Sequence, residues 1–305
     1  GEVKPELEIR PRFDWTSKNA TPGATGATED ATALTTRVRI GAHINKPLGI
    51  DGLKAYLELN HASDFMDKKR TYGNTCPGDV ECKYAFIADP SVDRLTEAKL
   101  MYTWGKTTFL FGRTRVNLDD QRFISDANWR QTPQTFGVFG IHTKEIPNLD
   151  LLMALIYERK WWAQDGLIGT IQPNNTTFVN AASTSSLDWN PDKAPIVIHG
   201  TYTFNPMLKI TGYYYDITDI NKTLGANLKG EIKLTNDVKF NYLAEYAKQS
   251  DPSRNKYLTP KPDVDGSFYR VYVGLSGYGF SGRIGYYTFS EYKNNGDTQG
   301  FSTPL

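Results

Sequence analysis

Apolar and polar residues alternate along this chain in stretches of about ten, a length that spans a bilayer when a strand is tilted. Such stretches occupy 6–14, 36–44, 54–60, 97–104 and 107–115, and the pattern continues to the end of the chain. The connections between them alternate between short and long. Alternation at period two predicts strands with one apolar and one polar face. Short turns on one rim and long loops on the other predict an all-β, antiparallel transmembrane β-barrel of the outer-membrane type.

The pattern predicts about thirteen strands: 4–16, 33–46, 53–66, 93–104, 107–117, 133–145, 148–161, 194–204, 208–218, 223–234, 238–249, 267–277 and 280–292. The short connections 46–52, 105–106, 146–147, 204–207, 235–237 and 277–279 are rich in Gly, Pro, Asn and Asp, which suit tight turns. The long ones are 17–32, 67–92, 118–132, 162–193 and 250–266, with 218–222 a short link on the same side. With a periplasmic N-terminus the short turns face the periplasm. Bacterial barrels of this type carry an even number of strands. The chain ends on Ser-Thr-Pro-Leu with no terminal aromatic strand. The expectation is one barrel domain, 1–305, that lacks C-terminal strands and has about 14–18 in the complete protein.

Alternation also assigns faces. Leu7, Ile9, Phe13 and Trp15 point to lipid and leave Glu6, Glu8, Arg10, Arg12 and Asp14 inside. Val38, Ile40 and Ile44 oppose Arg37, Arg39 and His43, while Leu224, Ala226, Leu228 and Ile232 oppose Asn227, Lys229, Glu231 and Lys233. Charge on the inner face of successive strands fits a water-filled lumen and does not fit a dry core. Counted over all strands, the inner face carries an excess of roughly six positive charges, and rings of Arg and Lys select anions. Its positive members include Arg10, Arg12, Arg37, Arg39, Arg113, Arg115, Lys229 and Lys233. Arg113 and Arg115 share parity with Phe109 and Phe111, and a bulge at Gly112 could reset the faces.

Composition agrees with this reading. Aromatics reach 13%, with 18 Tyr, 15 Phe and 6 Trp, yet mean hydropathy is only −0.50. A barrel accommodates both, because only alternate residues are apolar and aromatic side chains gather in interfacial girdles. No apolar run approaches the roughly 20 residues of a membrane helix. The net charge of +1 excludes little, and no nucleic-acid partner is expected. Cys76 and Cys82 flank Pro-Gly-Asp-Val-Glu. They predict a local disulfide in a long loop, since a metal pair would need further Cys or His ligands nearby.

The densest chemistry lies between the fifth and sixth strands. Asp119, Asp120, Arg122, Asp126 and Arg130 follow Arg113 and Arg115 within one loop. Charge of both signs cannot face lipid, so the loop 118–132 is expected to fold inward, pair Arg with Asp and set a constriction. Gly112-Arg113, Asn117-Leu-Asp-Asp-Gln-Arg-Phe123, Trp129-Arg-Gln131 and Gln134-Thr-Phe136 resemble the alginate export family of outer-membrane barrels. The opening Leu7-Glu-Ile-Arg-Pro-Arg-Phe13 and the closing Phe301-Ser-Thr-Pro-Leu305 fit the same family. The resemblance implies a channel for a polyanion or another anionic solute, set among membrane lipid and lipopolysaccharide in a Gram-negative outer membrane.

Catalysis has little support. His43, His61, His142 and His199 lie on separate strands with no serine-histidine pattern beside them, so neither an enzyme nor a cofactor is expected. A second reading is a plugged barrel whose outer loops bind partners. Loop 162–193, with Trp161, Trp162 and Trp189 near its ends, would then be the working surface.

Overall fold

The computed structural model describes residues 1–18, 28–68, 83–85, 87, 89–160, 194–217, 221–251, 253 and 264–290. Cys76, Cys82 and the loop 162–193 with its tryptophans lie outside the described residues.

The chain is built of β1 (Glu2–Thr16), β2 (Ala31–Asn45), β3 (Leu53–Lys68), β4 (Val92–Trp104), β5 (Thr107–Thr114), β6 (Thr135–Thr143) and β7 (Leu149–Lys160). It continues as β8 (Ile196–Asn205), β9 (Leu208–Ile217), β10 (Asn221–Lys233), β11 (Val238–Ser250), β12 (Asp265–Gly277) and β13 (Phe280–Phe289). They form one antiparallel 13-stranded sheet whose order is the order of the chain. Named helix among the described residues is confined to two short 3-10 turns, Pro47–Gly49 and Asp119–Gln121.

Turn chemistry follows the sequence. Lys46, Leu48, Gly49 and Gly52 adopt positive φ in the first short turn, Gly105 and Asn148 in the next two, and Tyr278 and Gly279 in the last. β5 stops at Thr114, three residues before its expected end, and carries Gly112 at φ +125° within it. Phe111 before that glycine is exposed and Arg113 after it is buried, so the faces reset there.

By contact density the chain divides into two compact units. The first is Gly1–Met101, Phe111–Gly137 and Arg159–Ile171. In it, Leu7, Ile9, Phe13 and Trp15 on β1 are more than half exposed, as is Ile40 on β2. The alternate positions Thr35, Arg37 and Arg39 on β2, and Tyr56, Glu58 and Asn60 on β3, are buried. A row of exposed large apolar side chains opposite a buried polar face inverts the plan of a soluble domain. It is the plan of a sheet solvated by lipid.

The second unit is Tyr102–Leu110, Val138–Glu158 and Gln172–Leu305. Its outward positions are again apolar, with Ile198, Ile210, Leu224, Tyr269, Val271 and Ile284 exposed. On its polar face Tyr213 stacks on Tyr215 with ring centroids 5.4 Å apart, and its hydroxyl donates to Glu245 at 2.8 Å. Tyr213 lies over Gly225 on the neighbouring strand, where a Cβ would meet its ring at 2.2 Å. Trp104, Phe204, Tyr278 and Phe280 beside the short turns are exposed, as interfacial aromatics are.

Candidate functional site: a basic wall and a docked loop

In the first unit, register brings the arginines of β1 and β2 together. Arg10 stands directly opposite Arg37, and Glu8 opposite Arg39. Like charges facing each other across strands are destabilising unless a third group accepts from both. Here the Arg130 carbonyl accepts from both, and Glu8 adds a counter-charge. Glu8 binds Arg37 and, at 3.4 Å, Arg39. The other acceptors come from the loop 118–132, which lies on this face.

The loop offers neutral oxygens. Arg10 donates to the carbonyls of Asn128 (2.9 Å) and Arg130 and to Gln131 Oε1 (3.2 Å). Arg12 donates to the Trp129 carbonyl at 2.6 Å. Arg37 reaches Asn128 Oδ1 at 3.2 Å and the Arg130 carbonyl at 3.1 Å, and Arg39 reaches the same Asn128 Oδ1 at 2.8 Å. Arg37 and Arg39 are thereby only 2% and 3% exposed. Gln131 completes the dock, its N–H donating to Asp89 at 2.8 Å and its side-chain amide to Thr35 at 2.7 Å. Burial lifts the Asp89 carboxyl above its ordinary value, ahead of the Gln131 N–H and the Arg12 guanidinium, which pull it down.

The loop is also strained. Asp119, Asp120, Gln121 and Ala127 all have φ between 49° and 63°. Non-glycine residues pay about 1–2 kcal/mol each in that region. Internal bonds hold the turn: Gln121 N–H to Leu118 O at 2.9 Å, Asp126 N–H to Asn117 Oδ1 at 2.9 Å, and Ser125 to Gln121 Oε1 at 3.2 Å. Arg122 pairs with Asp120 at 3.2 Å. Asp126 accepts from the Asn128 N–H at 3.1 Å and, through its carbonyl, from Gln134 N–H at 2.6 Å. Asp119 stands in the strained turn, and Arg130 presents its carbonyl to Arg10 and Arg37.

Arg115 and Arg113 have separate tasks. Arg113 donates to the Leu95 carbonyl at 2.9 Å, a structural bond on β4. Arg115 bridges Glu58 at 3.1 Å and Glu97 at 2.7 Å, and Lys99 also binds Glu97 at 2.6 Å. Thr96 donates to Glu58 at 2.6 Å. Beside this network a cavity of about 350 Å³ opens onto Glu6, Glu8, Arg39, Tyr56, Glu58 and Arg115.

The polar face of the second unit is differently charged. Lys229 on β10 stands opposite Lys209 on β9, and Lys233 opposite Lys239 on β11. Lys239 pairs with Glu231 at 2.8 Å. Lys229 and Lys233 are both exposed. Sequence reasoning placed Lys229 and Lys233 on this face, but only register shows that each meets another lysine head-on. Among the described residues no group of three or more His, Cys, Asp or Glu side chains is placed to hold a metal.

No family model matches this sequence, and no curated protein is similar to it. Solved structures do match in fold. Pseudomonas aeruginosa OpdK with vanillate aligns at a TM-score of 0.65 and 12% identity, over 94% of this chain and 67% of that one. Acinetobacter baumannii OccAB2 aligns at 0.68 and 16%, over 94% and 66%. Pseudomonas aeruginosa OccK2 (OpdF) in complex with glucuronate aligns at 0.65 and 13%, over 95% and 65%. The chain spans about two thirds of the length of these structures. All three are outer-membrane porins, so the fold of this chain is that of an outer-membrane β-barrel.

Proposed function

We propose that this protein is a passive outer-membrane channel that favours small anionic solutes, carboxylates above all. The observation that carries the reading is the pair of lysine-lysine positions on the polar face of β9–β11. Facing lysines lower stability, and neither Lys209, Lys229 nor Lys233 gains an ion pair among the described residues that would offset it. What they supply is a positive potential that raises local anion concentration over the roughly 8–10 Å that ordinary salt allows.

Two comparisons support the solute class without fixing it. OpdK is solved with vanillate and OccK2 with glucuronate, both carboxylates. The stretch 112–136 resembles the alginate export family, whose namesake is a polyuronate. Uronate units, free or in a chain, are therefore the cargo class we favour.

The test is the reversal potential of the channel in a planar bilayer under a salt gradient. The expected result is anion preference, and its reduction or inversion when Lys209, Lys229 and Lys233 are all replaced by Glu. The preference should also shrink as salt rises, because the charges are water-facing. A parent channel that is neutral or cation-selective at low salt overturns the reading.

A further inference from the structure

The basic wall of the first unit does not stand open to a solute. Its guanidiniums hold the chain's own loop. The carbonyls of Asn128, Trp129 and Arg130 and the side-chain oxygens of Asn128 and Gln131 occupy the donors of Arg10, Arg12, Arg37 and Arg39. Asn128 is the centre of the dock, because one side-chain oxygen accepts from both Arg37 and Arg39.

Three features turn this dock into a latch. First, every acceptor on the loop is a neutral amide oxygen. A carboxylate makes shorter and stronger bonds to a guanidinium and matches its two-pronged geometry. Second, the loop carries four left-handed non-glycine residues, one of which, Ala127, adjoins Asn128, so backbone strain sits directly beside the latch. Third, Glu8 grips Arg37 and Arg39 independently of the loop, so these two arginines keep their place without it. Arg39 also lines the neighbouring cavity, together with Arg115 and the carboxylates of Glu6, Glu8 and Glu58.

We propose that loop 118–132 is a gate latched through Asn128, and that a carboxylate solute opens it by taking over the guanidiniums that hold it. Asn128 is a positioning residue. The inference rests on the carboxylate-channel reading above and adds that the cargo regulates its own passage.

The test is single-channel recording of the full chain, with sodium glucuronate as probe and glucose as its neutral counterpart. Glucuronate is expected to lengthen open dwell times, and glucose to leave them unchanged. Asn128→Ala should raise the open fraction without any solute by at least about tenfold, the factor a single lost hydrogen bond to a charged group supplies, because the bonds to both Arg37 and Arg39 go. Asn128→Asp puts a carboxylate in the latch and should act in the opposite sense, with longer closed times and a higher glucuronate threshold. If Asn128→Ala fails to assemble, Asn128→Asp and the parent with glucuronate still decide. Dwell times that are the same with glucuronate and glucose, and the same in the Asp variant, overturn the gate. The parent's reversal potential in the same recordings separates the two ideas: an anion-selective channel with solute-independent dwell times sinks the gate alone, whereas an unselective one sinks the reading beneath it.

Discussion

Arg115→Met is expected to cost about 3–5 kcal/mol of stability, the range found when one partner of a buried ion pair is removed. Glu58 and Glu97 are 4% and 2% exposed, and among the described residues Arg115 binds both. Lys99 would still neutralise Glu97 at 2.6 Å. Glu58 would be left with Arg39 at 3.8 Å, a hydroxyl from Thr96 and another from Tyr56, too little for a carboxylate out of water. The burden therefore falls on Glu58. The double variant Arg115→Met with Glu58→Gln should recover most of the loss, because it removes the stranded charge instead of its partner. Urea titration of the detergent-solubilised protein reads both. A single variant within about 1 kcal/mol of the parent would mean that water screens the network as it does at a surface, and that the cluster is not a structural core.

Gly112→Ala should be nearly as damaging by an unrelated route. At φ +125° an L side chain is disfavoured by about 1–3 kcal/mol before any contact is counted. The new Cβ would also stand 2.2 Å from the Ala98 carbonyl oxygen and 2.8 Å from the Lys99 Cα. Both are backbone atoms of β4 and cannot swing away. Relief requires β5 to slide or part from β4, which would carry Arg113, Thr114 and Arg115 off Leu95 and Glu97. Loss of the compact, heat-modifiable form on a gel is the expected result, and an unchanged denaturation midpoint would show that β5 tolerates a side chain at this bend.

Most of the fold could be read directly from the alternation, because a strand between lipid and water writes its two environments on alternate residues. The thirteen expected segments match the observed strands within a few residues. The density of Asp and Arg after Thr114 marked the loop 118–132 as unusual, and Gly112 was visible as a place where parity could break. What the alternation could not carry was who binds whom. Arg37 and Asn128 are 91 positions apart, and Arg115 and Glu58 are 57 apart. An asparagine and a row of peptide carbonyls have no charge signature, so nothing in the spacing singles them out as ligands of four arginines. The buried Glu58–Arg115–Glu97 bridge was equally hidden, since each residue alone reads as one more charge on a wet face.

The strand order has a temporal meaning. Among the described residues each strand pairs with its chain neighbours, so the sheet can grow hairpin by hairpin, each step closing just the loop between consecutive strands. The dock of loop 118–132 breaks that economy, because Arg10 and Arg12 lie 117 to 121 positions before the groups they bind. Its partners exist as a surface only once β1 and β2 have paired. Amide exchange should report this, with the Gln131 and Gln134 N–H groups exchanging before those of the β1–β2 ladder. The segment whose contacts reach back 117 to 121 positions is expected to arrive last during assembly and to leave first.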